Sequence, residues 1–514
     1  MERHDKPSGP SATRHAPPGR VLAWDRQASW CLLALVAAAL ASLVWWSHPF
    51  LDPRNDACMY IQLARNLLAG EGYSLVGEPF ALRPPGFSAL LLPLIATWGT
   101  DLGVLNLFIG LWGVACVVLL FILVQRRSGP WFGLAVSLLL WTNPGFRTFC
   151  TQVMSDVPGV ALALGCLLLE QRWRDRSPSR GLWLGIAIGL SALVRSMNLL
   201  LVPAVLLAVL LRRGDARRGL TRAALLLLGA SAVLLPWSLR NARVDRPSPT
   251  EQTSIYSYGT GMFHADPSDP QSKRLTIGEV AARVPDQLSQ VSHVLGTRLG
   301  PAGKPRPFPM CLAGLGLACV VFTALRRREP TEFLCLGLFV VVSSYFAFVD
   351  RLALPVFVLA LPSLVGCLDS LLATAFARRA SGSRRPAWIG ALAIAALAVA
   401  DARALPDPDS LRIRSRQMRE LTANLDEALP PGSPLAARLG WELGVYMEER
   451  TVYSLFVVAK RGERAGMLDL LERRGVDHCV FHQPTADDRT LRDALRGAFQ
   501  PAGRFGDWRL VQRK

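Results

Sequence analysis

No two cysteines in this chain form a Cys-x-x-Cys pair, and no histidines accompany them at the spacing of a metal site. This absence excludes the common zinc and dithiol motifs. Because most of the ten cysteines lie in apolar runs, we interpret them as reduced packing residues. The segment after Pro406 also lacks Gly-x-Gly-x-x-Gly and Gly-Lys-Ser/Thr sequences. It therefore offers no support for nucleotide binding.

Charged residues are scarce for a soluble protein of this size. They make up 19% of the 514 residues, whereas 51% are hydrophobic and the mean hydropathy is +0.28. Apolar runs long enough to cross about 30 Å of hydrocarbon recur along the chain, beginning with residues 30–46 and 102–124. The sequence therefore predicts a bundle of membrane-spanning helices.

Acidic residues are nearly absent from five polar connections between these runs. The five connections carry eighteen arginines and only three acids, which are Asp175, Asp215 and Glu329. Loops of this composition are cytoplasmic under the positive-inside rule. They account for the net charge of +18 without any nucleic-acid partner.

We predict eleven spans between these connections, with the N-terminus inside and the C-terminal domain outside. Residues 1–28 are expected to be a disordered cytoplasmic arm, residues 29–403 the transmembrane domain and residues 404–514 a soluble extracytoplasmic α/β domain. With this topology Cys58 and Cys150 would both face the oxidising side, so a disulfide bond between them is an open possibility. The expected spans are 30–46, 104–124, 130–143, 157–171, 182–195, 198–211, 223–238, 309–325, 332–349, 353–374 and 387–402.

Two outer loops, residues 48–100 and 240–308, are too long to be simple turns, and long loops usually carry function. Apolar residues at three- and four-residue spacing predict an amphipathic helix at 57–68. We expect this helix to lie along the membrane surface.

Three carboxylates border the outer ends of spans. Asp52 and Asp56 follow the first span, and Asp156 precedes the fourth. An acid at the start of a helix is common without any function, because its charge suits the helix dipole. Two separate connections nevertheless offer acids to one cleft, so we treat Asp56 and Asp156 as candidate catalytic residues.

Eight short segments around and beyond these acids form a pattern. The segments are Asn55 to Tyr60, Ala64 to Leu67, Gly70 to Tyr73, Arg83 to Gly86, Met154 to Pro158, Gly189 to Arg195, Pro236 to Asn241 and Asp350 to Pro355. In their order they resemble the GT-C glycosyltransferases, in particular the bacterial branch similar to protein O-mannosyltransferases and the lipid A aminoarabinose transferase. The resemblance covers about residues 30–375. Many members have Asp-Glu where this chain has Asn55-Asp56, so we align Asp56 with the functional acid and keep Asp52 as the alternative.

The resemblance implies an all-α polytopic membrane fold and transfer of a sugar from a polyprenyl-phosphate donor to an unknown acceptor, with inversion at the anomeric carbon. The acceptor would be a protein, a lipid or an envelope polymer, and the membrane a bacterial inner membrane. Asp56 would be the base. Asp156 would orient the acceptor or, with Asp56, hold Mg²⁺ or Mn²⁺. The donor phosphate would be bound by arginine, and the candidates are Arg240, Arg83, Arg195 and Arg351.

Aromatic and histidine side chains are the candidates for binding the acceptor or the sugar. They are Tyr60 in the first outer loop and Tyr256, Tyr258 and His264 in the second.

Two other classes of protein remain possible. A transporter or flippase would also be an arginine-bordered bundle, but it usually has internal repeats and mid-membrane charges, which we do not find. A non-enzymatic scaffold would leave the carboxylates without a role.

Overall fold

In a computed structural model, the structure describes residues 24–52, 55–212, 215–244, 258–266, 272–299, 307–345, 350–377, 408–438, 440–455 and 464–514. The expected all-α membrane bundle with a small α/β domain is confirmed. Five described helices are long and apolar enough to cross a membrane, and five shorter apolar helices accompany them. The eleventh expected span, residues 387–402, lies outside the described residues.

Ten of the eleven expected spans overlap described helices of the bundle, and five further described helices match no expected span. The helices are α1 (Arg26–Trp46), α2 (Asn55–Leu68), α3 (Gly86–Trp98), α4 (Leu102–Ser128), α5 (Pro130–Thr142), α6 (Pro144–Cys150), α7 (Asp156–Trp173), α8 (Arg180–Val194), α9 (Leu201–Leu211), α10 (Ala216–Arg243), α11 (Tyr258–Phe263), α12 (Ile277–Leu299), α13 (Pro307–Arg327), α14 (Pro330–Ser344) and α15 (Leu354–Ala377). Helix α1 begins at the Asp25 cap, and α4 begins at the Asp101 cap, where each carboxylate accepts backbone N–H groups. A short 3₁₀ turn, Ser196–Leu200, precedes α9, and another, Asp350–Ala353, precedes α15.

The amphipathic pattern at 57–68 does form a helix, α2, but this helix is more enclosed than its pattern suggests. Ala57, Met59, Ile61 and Leu63 are all fully buried. Helix α3 packs against α2, and a two-stranded hairpin, β1 (Ser74–Leu75) and β2 (Glu78–Pro79), lies between them in the chain. Helix α2 is thus a central element of this end of the bundle.

The C-terminal domain is a five-stranded mixed sheet with helices. The elements are α16 (Asp409–Ala428), β3 (Leu435–Ala437), α17 (Gly440–Tyr446), β4 (Val452–Ser454), α18 (Arg464–Arg473), β5 (His478–His482), α19 (Ala486–Leu495), β6 (Phe499–Phe505) and β7 (Trp508–Arg513). The strand order is β4-β3-β5-β7-β6, in which β4, β3 and β5 are parallel and the last two pairings are antiparallel. Strand β5 is buried along four of its five residues, as expected for a central strand.

Helix α17 of this domain sits directly on α2. Arg65 donates to the carbonyl oxygens of Gly444 at 3.0 Å and Val445 at 2.5 Å, and Gln62 donates to that of Trp441 at 2.9 Å. The carbonyls of Gly444 and Val445 lie at the C-terminal end of α17, where they lack partners within the helix. The C-terminal domain therefore holds the element that carries Asp56.

The cysteines of the described residues are all free, including Cys58 and Cys150, and both of these are buried. The open possibility of a bridge between them is not realised in this structure.

Candidate functional site

Asp56 lies in the first turn of α2 and is buried against two arginines. Arg351 donates from Nη2 to its Oδ2 at 2.5 Å, and Nη2 of Arg83 lies 4.0 Å from Oδ1. Burial alone would raise the pKa of Asp56, but the positive charges of Arg351 and Arg83 outweigh burial and hold this pKa below its ordinary value. Asp56 is therefore ionised at neutral pH.

Asp156 begins α7 and forms a second buried ion pair. Nη2 of Arg195, just after α8, lies 2.8 Å from its Oδ1. Arg195 can take this path because residue 159 is glycine: a Cβ there would stand 2.5 Å from Cδ of Arg195. Gly86 has a similar role, because a Cβ there would stand 2.5 Å from the backbone carbon of Leu193. The two glycines bring α7 and α3 against the end of α8.

The two ion pairs belong to one cluster. Ser155 links the second pair to α2, the helix that carries Asp56: its Oγ lies 3.5 Å from Nη1 of Arg195 and 3.4 Å from the hydroxyl oxygen of Tyr60. Arg351 also contacts the sulfur of Met154 at 3.8 Å. The carboxylates from the two connections therefore converge. Three guanidinium groups face two carboxylates here, so the cluster has an excess of positive charge and is suited to an anion.

An apolar groove of about 430 Å³ opens beside this cluster. Ser196 and Leu352, which directly follow Arg195 and Arg351 in the chain, both line it. Most of the remaining lining is aliphatic and comes from the 3₁₀ turn Ser196–Leu200, from α9 and from α14. The arginine cluster and the adjacent apolar groove could therefore bind a ligand that has an anionic head and a hydrocarbon chain.

The other expected site residues lie elsewhere or carry other contacts. Arg240 donates to the carbonyl oxygens of Phe80 at 2.7 Å and Tyr73 at 2.9 Å, so it supports the β1–β2 hairpin. Asp52 accepts from the amide of Gln152 at 2.5 Å. His264 is buried, and its Nδ1 lies 3.1 Å from the carbonyl oxygen of Ser272.

The structure does not assign the two tyrosines expected in the second outer loop to the cluster. Tyr256 lies outside the described residues, and Tyr258 is the first residue of α11. Tyr60, in contrast, belongs to the cluster through its contact with Ser155.

The residues present do not fit a divalent cation. Among the residues that the structure describes, no three of the types His, Cys, Asp and Glu come together. Asp56 and Asp156 each form an ion pair with an arginine, and the same guanidinium groups would repel a divalent cation. The expectation of Mg²⁺ or Mn²⁺ bound by these two carboxylates therefore lacks geometric support.

Ser155 is the member of the cluster that sequence reasoning did not single out. It stands directly before Asp156 in the segment Met154 to Pro158. A lone serine carries no charge or periodicity that marks it, so only its place between Tyr60 and Arg195 reveals its position.

Residues 83–239 match the family model described as dolichyl-phosphate-mannose-protein mannosyltransferase. The folds of solved glycosyltransferases agree with this match. ArnT from Cupriavidus metallidurans, solved bound to undecaprenyl phosphate, superposes with a TM-score of 0.60 at 14% identity, covering 94% of this chain and 98% of that one. This chain has the GT-C membrane fold. It is thus a multi-pass membrane protein, and the resemblance noted from its sequence is confirmed.

Another GT-C structure is more distant. The oligosaccharyltransferase AglB from Archaeoglobus fulgidus, solved with an inhibitory peptide and a dolichol-phosphate, has a TM-score of 0.53 at 14% identity and covers 89% of this chain and 70% of that one. A search of curated protein sequences finds no match. Within the GT-C fold of this chain, the family match spans Arg83, Asp156 and Arg195, three of the charged residues of the cluster.

Proposed function

We propose that this protein is an inverting glycosyltransferase that moves a sugar from a polyprenyl-phosphate donor to a hydroxyl or amine acceptor. The observation that carries the proposal is the cluster of Arg351, Arg83 and Arg195 around two carboxylates, next to an apolar groove. We place this site on the extracytoplasmic face of a bacterial inner membrane, with the N-terminus cytoplasmic, on the basis of the arginine-rich connections.

The donor's two parts match the two parts of the site. Its phosphate would bind the guanidinium groups of Arg351, Arg83 and Arg195, which grip phosphate oxygens in pairs. Its polyprenyl chain would lie in the groove that starts at Ser196 and Leu352. The similar fold of ArnT, which was solved with undecaprenyl phosphate, supports this class of donor.

Asp56 is the proposed base. It takes the proton of the acceptor hydroxyl or amine while the acceptor atom attacks the anomeric carbon. The bond between that carbon and the phosphate oxygen breaks, and polyprenyl phosphate leaves as a stable anion. No protein acid has to protonate this leaving group, in contrast to a glycosidase, which needs two carboxyl groups. Asp156, Ser155 and Tyr60 then lie where they can orient the acceptor.

Donor binding would also activate the base. Without donor, Arg351 and Arg83 hold the pKa of Asp56 low, and such a carboxylate is a weak base at neutral pH. A bound phosphate competes for the same guanidinium groups and adds negative charge beside Asp56. Both effects raise the pKa of Asp56, so its basicity increases only when the donor is in place.

The test is a deletion of the gene in its host with comparison of envelope glycans by mass spectrometry. We expect one sugar to be lost, restored by the wild-type gene and by Asp52→Asn, and not restored by Asp56→Asn. Asp52 is the matched control because it also follows the first span, and its carboxylate accepts a hydrogen bond from the amide of Gln152.

Two results would contradict the proposal. An unchanged glycan profile after deletion would show that the protein is not the glycosyltransferase. If inverted vesicles from the deletion strain accumulated the intact lipid-linked sugar on their cytoplasmic side, the protein would instead be a flippase.

A further inference from the structure

A cavity of about 730 Å³ lies at the end of the bundle opposite the candidate site. It is formed by the connection between α7 and α8 and by the ends of α9 and α10 that face this connection. Helix α7 has Asp156 at its other end, and its 18 residues span about 27 Å at 1.5 Å per residue. The cavity and the candidate site are therefore separated by about the thickness of the hydrocarbon core.

Arginine dominates the wall of this cavity. Behind the wall, the fully buried Glu170 is already paired with Arg174 at 3.0 Å and Arg212 at 2.8 Å. Glu329 also lies 3.6 Å from Arg174. Even when Glu170 and Glu329 are both counted, five guanidinium groups face four carboxylates, so the cavity keeps an excess of positive charge. The charged residues of the lining are Arg174, Arg176, Arg212, Arg218, Arg222, Asp175 and Asp215.

Among the residues that the structure describes, no carboxylate lies within ion-pair distance of the buried Arg222. Its Nη1 donates to the backbone carbonyl oxygens of Trp173, at 3.1 Å, and Arg174. Carbonyl groups satisfy a donor but do not neutralise a charge. Within the described part of the chain, Nε and Nη2 of Arg222 have no hydrogen-bond partner. A buried charge in this situation is costly, and an anion in the cavity would lower that cost.

The same cavity has an apolar side. Leu210 and Leu220 line it and are 67% and 62% exposed, and Val209 lies beside them. A free phosphate ion gains nothing from these side chains. The acyl-glycerol part of a phospholipid would bury them.

We propose that this cavity binds the phosphate of an anionic phospholipid from the membrane leaflet opposite the candidate site. The arginines hold the phosphate oxygens, and Leu210 and Leu220 contact the start of the acyl chains. Basic cavities between membrane helices are suited to such headgroups. This inference does not depend on the glycosyltransferase proposal, because it concerns a separate cavity and a binding event.

The experiment measures lipid retention by native mass spectrometry on the full chain purified in detergent. The probes are phosphatidylglycerol, the zwitterionic phosphatidylcholine and inorganic phosphate. The test variant is Arg176→Ala with Arg218→Ala, two exposed arginines of the lining. The matched control is Arg180→Ala with Arg217→Ala, which removes the same charge from the same connections at exposed arginines outside the lining.

We expect wild-type protein to prefer phosphatidylglycerol over phosphatidylcholine. The test variant should bind phosphatidylglycerol about 30-fold more weakly and the control within about twofold of wild type, since each nearby cation contributes to headgroup attraction. Equal losses in both variants, or equal retention of both lipids, would overturn the proposal. Displacement of phosphatidylglycerol by millimolar inorganic phosphate would identify a soluble phosphate ligand and overturn the lipid assignment.

Discussion

Asp56 and Arg351 are 295 residues apart in the chain, yet their side chains meet at 2.5 Å. Asp56 lies in the helix that follows the first span, and Arg351 lies in the 3₁₀ turn that begins the last described helix of the bundle. This ion pair therefore joins α2 to the start of α15 at the candidate site. It also makes the charge state of Asp56 dependent on whatever else binds Arg351.

The ionisation of Asp56 gives a pH prediction. Since its pKa in the folded protein is depressed, the ion pair with Arg351 contributes stability that is fully present above the ordinary carboxyl pKa, about 4. This stability is lost as the pH falls through the lower, folded-state pKa. Thermal unfolding in detergent should show that Asp56→Asn lowers the melting temperature at pH 7 and has little effect at the acid limit.

The same substitution should reduce sugar transfer at pH 7 by about 10²- to 10⁴-fold, because a positioned base contributes that much. Transfer measured in membranes with a lipid-linked donor provides this rate. Asp52→Asn is the control and should keep most of the activity. Full activity of Asp56→Asn would show that another group acts as the base.

The close contact between Gly159 and Arg195 gives a prediction about donor binding. Gly159→Ala places a Cβ 2.5 Å from Cδ of Arg195, so Arg195 must move away from Asp156. We expect donor affinity to fall by about tenfold or more, as for the loss of one charge-assisted hydrogen bond. The measurement is the KM for the lipid-linked donor.

The control for this variant is Gly165→Ala, six residues further along α7, where a Cβ meets nothing within 4 Å. It should leave the KM unchanged and stabilise the helix slightly, because alanine is the better helix former. If both variants alter the KM equally, the close approach of Arg195 to Gly159 has no role in donor binding.

Arg65 gives a prediction about the C-terminal domain. Arg65→Ala removes the donors to Gly444 and Val445 and the ion pair with Glu448 at 3.1 Å. We expect a loss of about 1 to 3 kcal/mol in docking free energy, the range for charged hydrogen bonds, and faster amide exchange in both α17 and α2. Sugar transfer should fall in kcat, because α2 carries Asp56.

Arg416→Ala is the matched control for Arg65→Ala, since it removes an exposed arginine whose ion pair, with Glu420, lies within α16. It should leave exchange in α2 unchanged. Normal exchange and activity in Arg65→Ala would mean that the domain does not position α2.

The topology inferred from the arginines is tested by reporter fusions. A reporter fused after Gly382 should be cytoplasmic, and one fused after Gly432 should be extracytoplasmic, because the arginine-rich connections stay inside. Alkaline phosphatase and green fluorescent protein activities at the two sites report the side directly. Reversed results would place the candidate site in the cytoplasm.

Much of the bundle could be read from the sequence, and two elements show the limit. The long apolar run of α4 is visible by hydropathy alone, since any helix of that length and composition favours the membrane. Helix α3 was not expected: it is 13 residues long and has Pro93 inside, so its run is too short for a span. Likewise, the pattern of α2 predicts a helix but not that the C-terminal domain covers it.

The sequence by itself determined the membrane class, the order of the long apolar helices and the candidate acids, because length, hydropathy and charge act locally along a chain. Only the tertiary structure decided which arginine meets which acid. It pairs Asp56 with Arg351 and Asp156 with Arg195, and it assigns Arg240 to the hairpin carbonyls. Such pairings depend on how helices distant in sequence pack, including the missing Cβ at Gly159, and no local pattern encodes them.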